Sequence, residues 1–284
     1  MAHAIAIIDL SWTCYKFRQY YKDSCRIDSE GHMFPTGHVY GTINVVQQLA
    51  SQYKAVILAV DSRASYRYEI LPEYKSGRHV STGDPYEDYK IMTDLMNILK
   101  LCTYQDNVFY IKHEGLESDD IIASWIKASQ TDDSRELYCY FNDVDILQTQ
   151  GRYHWFRSFH EPEMDRTSYL KEKFGLEMDW LPVWYKVVRG DPSDGIPSAI
   201  PRYPSKKLIP ICSGASPDAD VDWFIKAVGV PVVVEDIKRN YGVVVPNIIS
   251  INSFTLKRLG CSHEGAMELL QYYQINDFVP VGGS

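Results

Sequence analysis

Short apolar runs that each lead into acidic residues constrain this chain more than any other feature. Residues 4–8 run into Asp9, and residues 55–60, AVILAV, run into Asp61. Residues 108–112 precede Glu117, Asp119 and Asp120 in GLESDDIIAS, and residues 137–141 precede Asp143 and Asp145 in FNDVDIL. Helical patterns lie between these runs: one around residues 12–21, one marked by Val39, Ile43, Val46, Leu49 and Tyr53, and one over residues 87–101. Strands alternating with helices predict an α/β fold with a mostly parallel sheet. Ligands of such sheets bind outside the carboxyl ends of the strands, so the acids should converge in one crevice there.

The second half reads differently. Beyond about Asp165 the patterns are mainly helical and broken by prolines, and a further acidic station, Asp191 and Asp194 in GDPSDG, falls in this part. The expected division is an α/β core over residues 1–164 and a mainly helical region over residues 165–284. Residues 74–89 read as a mobile polar loop before the helix over residues 87–101. Six dispersed cysteines without a CxxC pair argue against a zinc site or a disulfide framework. No leader peptide and no membrane-spanning run is expected.

A net charge of -8 looks wrong for a polyanion-binding protein. The nine acids at the five stations account for it, and the rest of the chain is slightly positive. Clustered carboxylates suit hard divalent cations, which take oxygen ligands. Two such ions roughly 4 Å apart fit phosphodiester hydrolysis by in-line displacement. On a helix beginning near Ser118, Glu117 and Asp120 share a side while Ile121, Ile122 and Trp125 pack inward. Asp143 and Asp145, if extended, point the same way. Taken singly, each station is also an ordinary loop acid, helix cap or turn; the ordered set is what carries chemistry.

With IIDLS, LAVDSRASYRYEILPEYKSGR, GLESDDIIAS, FNDVDILQ and VRGDPSDGIP in this order, the sequence resembles the 5'-nuclease family of phage exonucleases, flap endonucleases and the 5'-exonuclease domain of bacterial DNA polymerase I. The resemblance covers roughly residues 4 to 200. It implies a PIN-like α/β nuclease core that uses two or more Mg²⁺ ions, with Mn²⁺ fitting the same oxygens. One metal site would take Asp61, Glu117, Asp119 and Asp120, joined by Asp9. A second would take Asp143, Asp145, Asp191 and Asp194. Lys75 and Arg78, at the start of an arch near residues 74–100, would contact the scissile phosphate, Tyr74 would stack on a base, and Lys16, Arg18 and Arg67 would lie near phosphates.

SAIPRYPSKKL departs from the family, which carries a glycine-rich hairpin there; Ser198, Pro201 and Tyr203 stand in place of glycines. Arg202, Lys206 and Lys207 are then expected to contact the nucleic-acid backbone. The implied partner is DNA or an RNA–DNA hybrid with a 5' end, in the cytoplasm of a bacterial or phage-infected cell. The C-terminal QINDFVPVGGS is a candidate docking segment for a replication protein such as a single-strand-binding protein or clamp. Two alternatives stand beside this reading: a PIN-type ribonuclease, and an inactive nucleic-acid-binding relative. A dehalogenase-like phosphohydrolase needs a DxD nucleophile, and Asp9 is followed by Leu10 and Ser11.

Overall fold

The computed structural model describes residues 4–27, 31, 33–76, 85–132 and 134–275, with the side chains of 85–93 left out. Five strands, β1 (Ala4–Asp9), β4 (Ala55–Val60), β5 (Val108–Lys112), β6 (Glu136–Tyr140) and β7 (His154–Phe156), form one sheet in the order β5-β4-β1-β6-β7. Every pairing in it is parallel, with Ile7 opposite Ile57 on one side and Cys139 on the other. A small antiparallel hairpin, β2 (Cys25–Ile27) and β3 (Met33–Pro35), stands apart and was not legible in the sequence pattern.

Alternate residues of the strands face opposite layers, as the pleat requires. Ala6, Ile8, Val56, Leu58 and Val60 pack under α1 (Leu10–Tyr20), α2 (Gly37–Gln52), α4 (Pro85–Cys102) and α11 (His263–Tyr272). Ile7, Ile57, Ala59 and Cys139 pack under α5 (Ser118–Ala128). The same apolar layer continues into α6 (Arg166–Phe174), α7 (Val183–Arg189), α8 (Ser205–Gly214), α9 (Val221–Val228) and α10 (Val234–Val244). Trp184 of α7 and Phe224 of α9 stack face to face with centroids 4.5 Å apart. The mainly helical second half was expected, and its largest core is shared with the sheet rather than closed on itself.

The chain leaves β1 for β4 on one side and reaches β6 on the other, which puts the switch point of the sheet at the end of β1, where Asp9 lies. A short helix, α3 (Ser65–Ile70), follows Asp61 and supplies Arg67. Among the described residues, no helix is long and apolar enough to cross a membrane, and all six cysteines are free thiols.

Candidate active site

Local structure fixes each acid. Asp9 is the N-cap of α1 and accepts from the Trp12 amide at 3.0 Å. Asp61, just past β4, accepts from the Ser118 amide at 2.8 Å, so two stations are tied together by one hydrogen bond. Glu117 caps α5 in a capping box with Asp120, whose Oδ2 accepts the Glu117 amide at 3.0 Å. The expected shared side of Glu117 and Asp120 is thus present, and Ile121, Ile122 and Trp125 are buried behind it.

Asp143 and Asp145 are not extended, contrary to the sequence expectation. Asp143 caps a single 3-10 turn over Val144–Gln148 and accepts the Asp145 amide at 2.9 Å. The side-chain hydrogen bond to the backbone two residues on favours this turn over a strand. Asp191 and Asp194 sit in a tight loop closed by reciprocal bonds between Asp191 and Ile196, each 2.9 Å. Only glycine fits at its entry: Gly190 has φ +68°, and a Cβ there would meet the Ile196 carbonyl oxygen at 2.4 Å.

The stations converge electrostatically. Burial, then Asp61 and Asp143, push the Asp9 carboxyl up to about 7. Burial also raises Asp119 well above the usual carboxylate range, with Asp120, Glu117 and Asp143 adding to it. Asp145 is pushed up to about 7 by burial and Asp143. Burial pushes Asp191 the same way, but Lys186 and Ser193 outweigh it and hold Asp191 below its ordinary value. A continuous series of interacting carboxylates therefore runs from Asp61 to Asp191 across the carboxyl end of the sheet. Such a crowded set of hard oxygens fits divalent cations. Among the described residues, no three His, Cys, Asp or Glu side chains are close enough as they stand to hold one ion.

Cations are built into the same crevice. Lys75 Nζ lies 2.7 Å from Glu117 Oε1, and Lys186 Nζ lies 2.8 Å from Asp145 Oδ1 and 2.6 Å from Asp191 Oδ2. Lys75 has φ +55°, held by the hydrogen bond that its backbone N–H donates to the Asp194 carbonyl oxygen at 2.7 Å, so the LPEYK turn and the GDPSDG loop fix each other. Lys186 was missed in the sequence. Its signal was a lone cation within the apolar helix VWYKVV just before the acidic loop.

Two expectations are corrected, and a third residue is held by the protein's own donors. Arg67 does not face nucleic acid: it is 2 % exposed, pairs with Glu117, reaches Asp120 Oδ1 at 2.7 Å and donates to the Val243 carbonyl at 3.1 Å. Tyr74 is buried as well; its hydroxyl donates to Glu117 Oε2 at 2.9 Å and its ring meets Tyr68 edge-on, leaving no open face for a base. Asp120, expected as a metal ligand, already accepts from Tyr66, Arg67 and the Asn247 amide on Oδ1 and from Glu117 on Oδ2. Four donors thus hold this buried carboxylate, three on Oδ1 and one on Oδ2.

The remaining cations divide. Lys16 spends its ammonium on the Arg157 carbonyl at 3.1 Å and packs over Trp12. Arg18 is half-buried on α1, beside Tyr15 and His38. Arg202, Lys206 and Lys207 are exposed at the entry to α8. Arg78 lies outside the described residues, as do residues 77–84 of the expected arch and residues 276–284 of the C-terminal segment.

A family model described as the 5'-3' exonuclease N-terminal resolvase-like domain matches residues 4–175. The chain belongs to this family. Within it, DNA polymerase I of Thermus aquaticus is 29% identical over 181 residues, covering 62% of this chain and 20% of the relative. The chain thus corresponds to about a fifth of the length of such polymerases. The 5'-3' exonuclease of Buchnera aphidicola is 23% identical over 211 residues, covering 72% of this chain and 68% of that one. The fold is also that of the bacteriophage T5 flap endonuclease, solved as a pseudo-enzyme-product complex with DNA and metal ions, at 16% identity. That match has a TM-score of 0.63 and covers 95% of this chain and 98% of the T5 chain. The T5 5'-exonuclease with bound zinc ions gives a TM-score of 0.60 at 17% identity, over 85% and 89% of the two chains.

Proposed function

We propose that this family member is a divalent-cation-dependent 5'-nuclease that hydrolyses phosphodiester bonds near the 5' ends of DNA or RNA–DNA hybrids. The observation that carries the reading is the series of interacting carboxylates from Asp61 through Asp9, Asp143 and Asp145 to Asp191, joined by Asp119, at the switch point of a parallel sheet. An acid-lined crevice repels a polyanion unless cations are held there, and a binding module gains nothing from it. The T5 flap endonuclease bound to DNA and metal ions, and the T5 5'-exonuclease bound to zinc, agree with this direction.

Asp9, Asp61, Asp119, Asp143, Asp145, Asp191 and Asp194 would hold the cations, with Glu117 at their margin. Mg²⁺ is the ion proposed, and Mn²⁺ suits the same ligands. When bound, the ions supply Lewis-acid activation of water and neutralise the leaving oxygen. The chain's own contribution is orientation and charge. Lys75, fixed by Asp194 and Glu117, places an ammonium at the crevice for the phosphate on which charge develops, and Arg78 is proposed beside it. Arg202, Lys206 and Lys207 are proposed to hold the duplex backbone in place of the missing glycine-rich hairpin. The setting proposed is the bacterial or phage-infected cytoplasm, with a single-strand-binding protein or clamp as a candidate partner of the C-terminal segment.

The test is cleavage of 5'-labelled single strands, blunt duplexes, 5' flaps and RNA–DNA hybrids in Mg²⁺ and in EDTA. Metal-dependent release from the 5' side is the expected result. No cutting of any substrate would favour the inactive binding relative, and cutting confined to internal sites of single-stranded RNA would favour the PIN-type ribonuclease.

A further inference from the structure

The carboxylate crevice already contains two ammonium groups where cations would be expected. Lys186, 12% exposed, stands between Asp145 Oδ1 at 2.8 Å and Asp191 Oδ2 at 2.6 Å, oxygens from two different stations. Lys75, 21% exposed, occupies Glu117 Oε1 at 2.7 Å. An ammonium and a hard divalent cation compete for the same carboxylate oxygens, and the more highly charged ion is the stronger competitor. The nearby acids are not grouped to enclose an ion as they stand. The geometry points to Lys75 and Lys186 as internal counter-ions that a divalent cation displaces, each ammonium then swinging to a phosphate of the substrate. This rests on the nuclease reading given above.

The choice of side chains supports the exchange. Both groups are lysines, point charges on flexible four-carbon stems that can leave one partner for another a few ångströms away. The third cation of the crevice is Arg67, whose fork is fixed on Glu117, Asp120 and a main-chain carbonyl and stays as a permanent part of the fold. Neither lysine is sealed off as Arg67 is, so a path out of each pair exists. Displacement also makes cation and phosphate binding mutually favourable: the ion releases the ammonium, and the phosphate gives the released ammonium a new partner. By linkage, substrate would tighten cation binding by the same factor that the cation tightens substrate.

The test uses the full chain without nucleic acid. Mg²⁺ binding is followed by its heat, and amine acetylation by an N-hydroxysuccinimide ester is mapped by peptide mass spectrometry with and without saturating Mg²⁺. The expected result is a severalfold faster modification of Lys75 and Lys186 in Mg²⁺, with exposed Lys226 unchanged. Heat of binding with no acceleration at either lysine overturns the displacement and leaves the nuclease reading standing. Acceleration at one lysine alone overturns it for the other. No heat at any Mg²⁺ concentration tried overturns both the displacement and the cation-dependent reading beneath it.

Discussion

Arg67 and Asp120 form an ion pair of 2.7 Å in which the arginine is 2 % exposed and the aspartate side chain is sealed from solvent. Each also reaches the C-terminal half, Arg67 through the Val243 carbonyl and Asp120 through the Asn247 amide. The pair therefore ties α3, the start of α5 and the end of α10 into one unit behind the crevice acids. Removing Arg67 leaves the Asp120 charge buried without its counter-charge, which costs about 3–5 kcal/mol, whereas removing Asp120 leaves Arg67 its pair with Glu117. Arg67→Met is expected to lose stability on that scale in urea unfolding and Asp120→Ala a smaller amount, with lost activity as a consequence. An Asp120→Ala protein as stable as the parent but inactive would return Asp120 to the set of metal ligands.

Lys75 is expected to behave in the opposite way. Its ammonium is partly open, and Glu117 keeps its pair with Arg67 when the lysine is gone, so Lys75→Ala should fold normally. Loss of one positioned cation at a developing phosphate charge lowers kcat by about 10²–10³-fold. Single-turnover kinetics at saturating substrate reads this directly. A loss confined to KM would mean that Lys75 binds the ground state and the transition state equally.

How far these roles were legible in the sequence depends on whether they are set by local pattern or by burial. The strand over residues 55–60 falls where its apolar run places it, because a buried central parallel strand is written as a continuous run, and the half-buried edge strand over 108–112 also follows its run. The acids at their ends follow from topology. Arg67 was misread because spacing shows a charge after Asp61 but not that α3 turns it inward. Lys186 is separated from Asp145 by some forty residues, and only the packing of α7 brings it there. Asp143 and Asp145 looked extended because a DxD says nothing about the turn that the first aspartate itself nucleates.

Cation removal should show in stability as well as turnover. Asp9 and Asp145 are held at about 7 in the folded protein, mainly by burial, against an ordinary value of 3.8. Between those values the folded chain binds more protons than the unfolded one, so these groups weaken the fold as pH rises from about 4 to 7. At about 1.4 kcal/mol per unit, the effect reaches up to about 4 kcal/mol for each. A bound cation takes the place of the protons. The rise in Tm on adding Mg²⁺ to EDTA-treated protein should therefore be larger at pH 7.5 than at pH 5.5. An equal rise at both pH values would place the ion away from Asp9 and Asp145.

The departure at SAIPRYPSKKL has its own expected signature. Arg202, Lys206 and Lys207 are exposed where α8 begins, while Tyr203 is buried with its hydroxyl on the Val228 carbonyl at 3.2 Å, so the turn is pinned and the cations face outward. If they hold duplex phosphates, each contact contributes about one unit to the slope of log affinity against log salt. Lys206→Ala with Lys207→Ala should lower that slope by about two for a 5'-overhang duplex in EDTA, and should leave kcat at saturating substrate unchanged, because neither residue touches the crevice acids. An unchanged slope would move the duplex to another face of the chain, and a fall in kcat with the slope intact would mean that the pinned turn acts through the adjoining GDPSDG loop.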